Sequence, residues 1–121
     1  DISFTWNSKF PINSLYLMRG YLYVSENQRN DYLNIFFDAY WKDNLDLSND
    51  LEISQLLKTL DIDNKKFLNG IKEQTIKDEL KDTTNEAFKK EVFGAPTFIV
   101  NNKIFWGQDR LEYAVEELNF N

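Results

Sequence analysis

The 121-residue chain carries 20 acidic and 14 basic side chains, a formal charge of -6, and its length suits one compact domain or two small subdomains. At 42% hydrophobic residues it can fill a packed core, which argues against disorder, while its acidic surface repels phosphates and argues against a nucleic-acid partner. It has neither His nor Cys, so zinc clusters, disulfide scaffolds and thiol chemistry by this chain are excluded, and no metal site is expected.

In chain order, Ile2-Ser3-Phe4-Thr5-Trp6 alternates apolar and polar residues, the period of a half-buried strand. Lys9-Phe10-Pro11 ends it, and Asn13 or Ser14 can cap a helix with Leu15, Met18 and Leu22 along one face and Tyr21 beside them. A second helix is predicted from about 30 to 42. Its apolar residues, among them Tyr32, Leu33, Phe36, Phe37, Tyr40 and Trp41, surround nearly the whole cylinder, as in a helix buried on several sides. That describes a central core helix; the alternative is the wall of an apolar ligand pocket. Asp43, Asp46, Asn49 and Asp50 form an acidic turn without the spacing or central Gly of a calcium loop, so a solvated linker is expected. Short helices follow at 51–60 and at 64–72, the latter capped by Asp63 and carrying Gly70 at some cost in helix stability. A longer helix from 75 to about 91 aligns Ile76, Leu80, Thr84, Ala87 and Phe88 on one face.

The pattern then changes. Val92-Phe93-Gly94-Ala95-Pro96 breaks the helix, and Thr97–Val100 and Lys103–Trp106 read as strands joined at Asn101-Asn102, two residues that tolerate positive φ. Gly107 closes the hairpin, and Gln108-Asp109-Arg110 opens a last amphipathic helix through Leu111, Ala114, Val115 and Leu118. No apolar run reaches membrane-spanning length, so no membrane partner is expected; no signal peptide is visible, and a cytoplasmic setting fits a chain without Cys.

Thr97–Val100 is apolar on both faces and should be covered on both. An isolated hairpin is marginal in water and leaves an open edge. The sequence therefore asks for strands it does not contain, which fits a chain that begins at Asp1 and not at Met. Pro96, between a helix end and a buried strand, is a candidate for a cis X-Pro bond that would leave the Ala95 backbone open to an extended ligand; the alternative is an ordinary trans proline. Gly107-Gln108-Asp109-Arg110 offers the amides of a helix start to a carboxylate, and Asp109 offers an acceptor to an ammonium. Together they suit the α-amino-acid end of a peptide. Alternatively, Asp109 simply caps the helix.

Val92-Phe93-Gly94-Ala95-Pro96-Thr97-Phe98 followed by Phe105-Trp106-Gly107-Gln108-Asp109-Arg110-Leu111 resembles the C-terminal signature of the 2-hydroxychromene-2-carboxylate isomerase family. It is also similar to kappa-class glutathione transferases. Leu80–Ala87 resembles that family's helix before the proline, and Phe10–Leu15 the start of its helical insertion. The resemblance implies an α/β, mostly helical, thioredoxin-like fold of the DsbA/kappa type with an inserted helical domain. Residues 1–73 would be the strand and insertion, and residues 74–121 the helix–hairpin–helix half. It further implies that the N-terminal β-α-β half, with the family's catalytic serine, lies outside this chain, so no catalytic residue is assigned within it. Glutathione is the implied cofactor: Ala95 and Pro96 would meet its cysteinyl part, and Trp106, Gly107, Gln108 and Asp109 its γ-glutamyl end. Asn7 would touch a small aromatic substrate. Gln108 stands where relatives carry Ser or Asn. Two rival readings are a fragment of a DsbA-type disulfide oxidoreductase and a non-enzymatic helical interaction module. Association into a homo-oligomer is expected, by edge pairing or swapping between copies.

Overall fold

A computed structural model of the protein describes residues 2–120. In chain order the described residues form α1 (Leu15–Tyr23), a 3-10 turn (Glu26–Gln28), α2 (Arg29–Trp41), α3 (Asp50–Thr59), α4 (Asn64–Gly70) and α5 (Gln74–Lys89). Then come β1 (Thr97–Val100), β2 (Lys103–Trp106), a second 3-10 turn (Gln108–Arg110) and α6 (Leu111–Asn119). The chain divides into two compact units, Asp1–Lys81 and Asp82–Asn121. The division falls inside α5, later than the boundary at 73/74 suggested by the sequence.

In the first unit α2 is the central element. Tyr32, Phe36, Ala39 and Tyr40 recur at helical spacing and are buried. The Tyr32 ring lies 4.4 Å from that of Phe36 and 6.3 Å from that of Phe67 on α4. Leu57 of α3 and Ile71 after α4 complete the buried cluster. The Tyr32 hydroxyl donates to the Leu17 carbonyl of α1 at 2.9 Å, and its burial pushes the phenol up from its ordinary pKa. The expectation that α2 is buried on several sides is corrected: Leu33 and Phe37 lie on the other face and are exposed.

Three further expectations in this unit change. Residues 2–6 form no strand. The Thr5 N–H donates to the Trp41 carbonyl, and the Phe4 and Trp6 rings pack against the Trp41 ring, so the alternating pattern is spent on a helix end. On α1, Leu15 and Met18 are exposed, while Leu17, Tyr21 and Tyr23 pack on the core. The helix carries two apolar stripes, and contact with α2 and α4 selects between them. The acidic turn is docked as well as solvated, with Leu47 buried. Caps follow the sequence more closely: the Asn13 side chain accepts from Leu15 N–H and Asp63 from Lys66 N–H, while Asn49, read as part of the linker, caps α3 by accepting from Leu51 N–H.

In the second unit β1 and β2 pair antiparallel with Thr97 opposite Trp106 and Val100 opposite Lys103. Asn101 and Asn102 have φ of 49° and 62°, the left-handed pair that a two-residue hairpin turn requires. α6 packs on both strands and buries Ala114. Cover on both faces of β1 is not found: Ile99 and its cross-strand partner Ile104 are exposed, whereas Phe98 and Phe105, opposite each other on the alternate face, are half-buried. The sheet has two strands among the described residues.

Candidate functional site

The hairpin brings the two halves of the 92–111 motif together. Because Thr97 pairs with Trp106, the residues just outside the pair, Pro96 and Gly107, become neighbours. The Gly107 N–H donates to the Pro96 carbonyl at 2.9 Å. The Ala95–Pro96 peptide is cis, as is Phe10–Pro11. Ala95 and Pro96 are exposed, and the Thr97 hydroxyl donates to the Gly94 carbonyl at 2.5 Å, which ties the approach to the proline to the start of β1.

Trp106 closes one side. Its ring lies 5.2 Å from that of Phe93, its indole nitrogen packs over Gly94, and it remains 53% exposed. Gly107 has φ of 100°, a region open to glycine and costly for other residues. A Cβ there would also stand 2.5 Å from Asp109 Oδ1. That turn folds the Asp109 carboxylate back over Gly107 and starts the 3-10 turn, in which Arg110 N–H donates to the Gly107 carbonyl at 3.1 Å. Asp109 makes no side-chain cap at this helix start; its carboxylate sits 3.9 Å from Arg110 Nε and is exposed. The first amides of a helix lack intrahelical acceptors, so this surface offers donors and a carboxylate side by side. It suits a ligand bearing both an anionic and a cationic group.

Ala95, Pro96, Trp106, Gly107, Gln108 and Asp109 thus lie along one continuous surface of the second unit. Asn7 belongs to the first unit. It is 1% exposed, its amide donates to the Tyr40 and Leu45 carbonyls at 2.9 Å each, and its Oδ1 accepts from Lys9 N–H. These hydrogen bonds are internal, so Asn7 presents no exposed polar atom to the expected substrate. Sequence reasoning gave no role to Phe93 and Gly94, which pack against Trp106 beside this surface. A Gly flanked by an aromatic residue, with a Trp across the hairpin, was the available signal. A separate cleft of about 250 Å³ in the helical unit, between Tyr16, Leu47, Ile53, Leu68 and Lys72, contains none of the expected site residues. Among the described residues no cluster of three or more potential metal ligands exists, and no helix is long and apolar enough to cross a membrane.

Comparison with known proteins agrees with this architecture. A 2-hydroxychromene-2-carboxylate isomerase of Pseudomonas sp. (strain C18) is 31% identical over 86 residues, covering 69% of this chain and 40% of that protein. The isomerase of Pseudomonas putida is 30% identical over 107 residues, covering 84% of this chain and 52% of the relative. That of Sphingobium xenophagum is 23% identical over 88 residues, covering 73% and 45%. The chain therefore spans about half the length of the curated relatives it matches. A solved 2-hydroxychromene-2-carboxylate isomerase superposes with a TM-score of 0.83 at 22% identity, over 98% of this chain and 58% of the other, and shows the fold. The fold is thioredoxin-like of the DsbA type and mostly helical. With the family of DSBA-like thioredoxin domains matching residues 1–119, the chain belongs to that family.

Proposed function

We propose that this chain forms the glutathione-binding part of a glutathione-dependent isomerase acting on 2-hydroxychromene-2-carboxylate-like aromatic substrates. The observation that carries the reading is the Gly107–Pro96 hydrogen bond. It sets the exposed Ala95 backbone next to the turn bearing Asp109, so one peptide can meet both. The names of the relatives point the same way. The Ala95 backbone would pair with the cysteinyl part of the tripeptide. Trp106, Gly107 and Gln108 would receive the carboxylate of its γ-glutamyl end, and Asp109 the ammonium. Bound glutathione would supply the thiolate that adds to the unsaturated substrate, permits bond rotation and then leaves. This chain's residues bind and orient that thiol; none is assigned to the chemical step. A cytoplasmic setting, where glutathione is the redox buffer, suits the proposal.

Calorimetric titration of glutathione into the chain and into Asp109→Ala tests it. Losing one charge-assisted contact at an exposed site corresponds to the low end of about 1.5–3 kcal/mol, so affinity should fall about tenfold with the fold unchanged. Equal affinities would overturn the role of Asp109, and no binding by the unaltered chain would overturn the site. The family match also accommodates a disulfide oxidoreductase part; that reading gains if dithiol substrates bind the Ala95 surface and glutathione does not.

A further inference from the structure

The helical unit holds a cleft that the glutathione reading does not use. Its volume is about 250 Å³, and it opens where the chain leaves α4 at Ile71 and Lys72. The first turns of α1, at Tyr16, and of α3, at Asp50 and Ile53, form its other walls. α4 packs on both of these helices but has only seven residues, about two turns, so the space past its end is bounded by side chains. Leu47, Ile53, Phe67 and Ile71 form the floor and belong to the buried core. The Phe67 ring is held in place by Tyr23, edge-on at 5.8 Å, and by Tyr32 at 6.3 Å. The polar groups stand at the mouth and carry opposite charges, Asp50 and Lys72, both exposed. Asp50 lies in the first turn of α3, where the positive end of the helix offsets a carboxylate. Lys72 has no such offset: among the described residues it takes part in no ion pair. The Tyr16 phenol, half-exposed at the same mouth, adds a neutral donor.

We propose that this cleft binds a small monocarboxylic acid, with its hydrocarbon body on Leu47, Ile53, Phe67 and Ile71 and its carboxylate at Lys72 and Tyr16. The site lies wholly within the first unit and does not depend on the glutathione surface. Three arguments select this ligand chemistry. The first is size: an apolar cavity of about 150 Å³ takes benzene, so this one has room for a ring or short chain together with an acid group. The second is the floor. Water at about 30 Å³ per molecule would fill the same volume with about eight molecules, each needing two to four polar partners. Leucine, isoleucine and phenylalanine side chains supply none, whereas hydrocarbon gains by covering them. The third is the mouth. A cationic head would meet the unpaired ammonium of Lys72 and a carboxylate already offset by its helix, while an anionic head gains at Lys72 and can accept from the Tyr16 hydroxyl. Burial of the body supplies the affinity, and the few polar groups fix the orientation.

Titration of octanoate and of p-toluate into the chain, followed through the amide resonances, tests the proposal. Saturable shifts are expected around Tyr16, Ile53 and Lys72 and not along residues 95–109. Binding by either acid supports the site, and the tighter of the two assigns the hydrocarbon as chain or ring. Lys72→Met should weaken binding about fivefold, the upper end for one exposed ion pair, and Lys72→Arg should keep the parent affinity. The matching amides, octanamide and p-toluamide, should bind the parent about as weakly as the acids bind Lys72→Met, and should be indifferent to that substitution. Leu68→Trp, on the cleft wall, should fill the space and abolish binding with helicity unchanged by circular dichroism. If it disturbs the fold, the Lys72 variants and the amides decide the matter. No saturable shift with either acid, amides that bind as tightly as the acids, acids indifferent to Lys72→Met, or shifts confined to residues 95–109 each overturn the proposal.

Discussion

The indole nitrogen of Trp106 occupies the space that a Cβ on Gly94 would need. Glycine at 94 is therefore a packing requirement of the residue opposite, and the position of the Trp106 ring is set from across the hairpin. Gly94→Ala should push the indole outward. Trp106 is half-exposed and can swing, so the stability cost falls at the low end of overpacking, about 1 kcal/mol. The Trp106 indole N–H resonance should shift while those of the helical unit stay in place. Under the glutathione reading, affinity drops as well. An unchanged indole resonance would show that the ring does not depend on this contact.

Asn7 ties residues 2–10 to the turn after α2 through carbonyls at both its ends, Tyr40 and Leu45. Removing the amide strands two carbonyls, at least one in a buried bond, and each unsatisfied buried group costs about 1–3 kcal/mol. Asn7→Leu should lower the unfolding free energy by about 2–3 kcal/mol. The loss is read from the urea midpoint, and Asn7→Asp should cost more because it adds a buried charge. A variant as stable as the parent would mean that the segment is held by its aromatic rings alone.

Gly70 gives a case where propensity and packing point in opposite directions. Alanine is favoured over glycine in a helix by about 1 kcal/mol, but a Cβ at Gly70 would collide with the Tyr23 ring. Both residues border the core, and Tyr23 is already held edge-on to Phe67 at 5.8 Å. Gly70→Ala should therefore destabilise by about 1–3 kcal/mol, seen as a lowered midpoint in thermal or urea unfolding. A stabilised variant would show that the ring yields freely.

These cases show what was legible in the sequence. Local chemistry was: the Asn101-Asn102 turn, the strand pair around it and the Asp63 cap are each fixed by a few adjacent residues, and the structure places them within a residue of expectation. The gathering of Ala95 and Asp109 was legible for the same reason, because hairpin register follows from turn length. Choices settled by distant packing were not. Residues 2–6 alternate like a strand, yet Trp41 recruits their rings. α1 carries two apolar stripes, and only the position of α2 and α4 decides between Leu15 and Leu17. Asn7, which the family resemblance set against substrate, shows itself as an internal tie only once the two carbonyls that accept from its amide are known.

The last expectation concerns pH and the hairpin's attachment to α6. Lys103 Nζ donates to Glu117 Oε2 at 2.7 Å, and the Asn101 amide donates to Oε1 at 3.2 Å. The Lys103 hydrogen bond first, and that of Asn101 second, hold the Glu117 carboxyl below its usual range. A carboxyl depressed in the folded state binds fewer protons there than in the unfolded chain between the two pKa values, so stability rises with pH across that window. The contribution is complete above the ordinary glutamate value, about 4.3, and is lost as pH falls through the folded value. Glu117→Gln should therefore loosen the hairpin near neutrality, seen as faster amide exchange across β1 and β2, and should match the parent once the medium is acidic enough to protonate Glu117. Because Lys103 is exposed while Glu117 is half-buried, high salt should shrink the neutral difference only in part. A gap between parent and variant that persists unchanged into acid would assign the effect to packing and not to the charge.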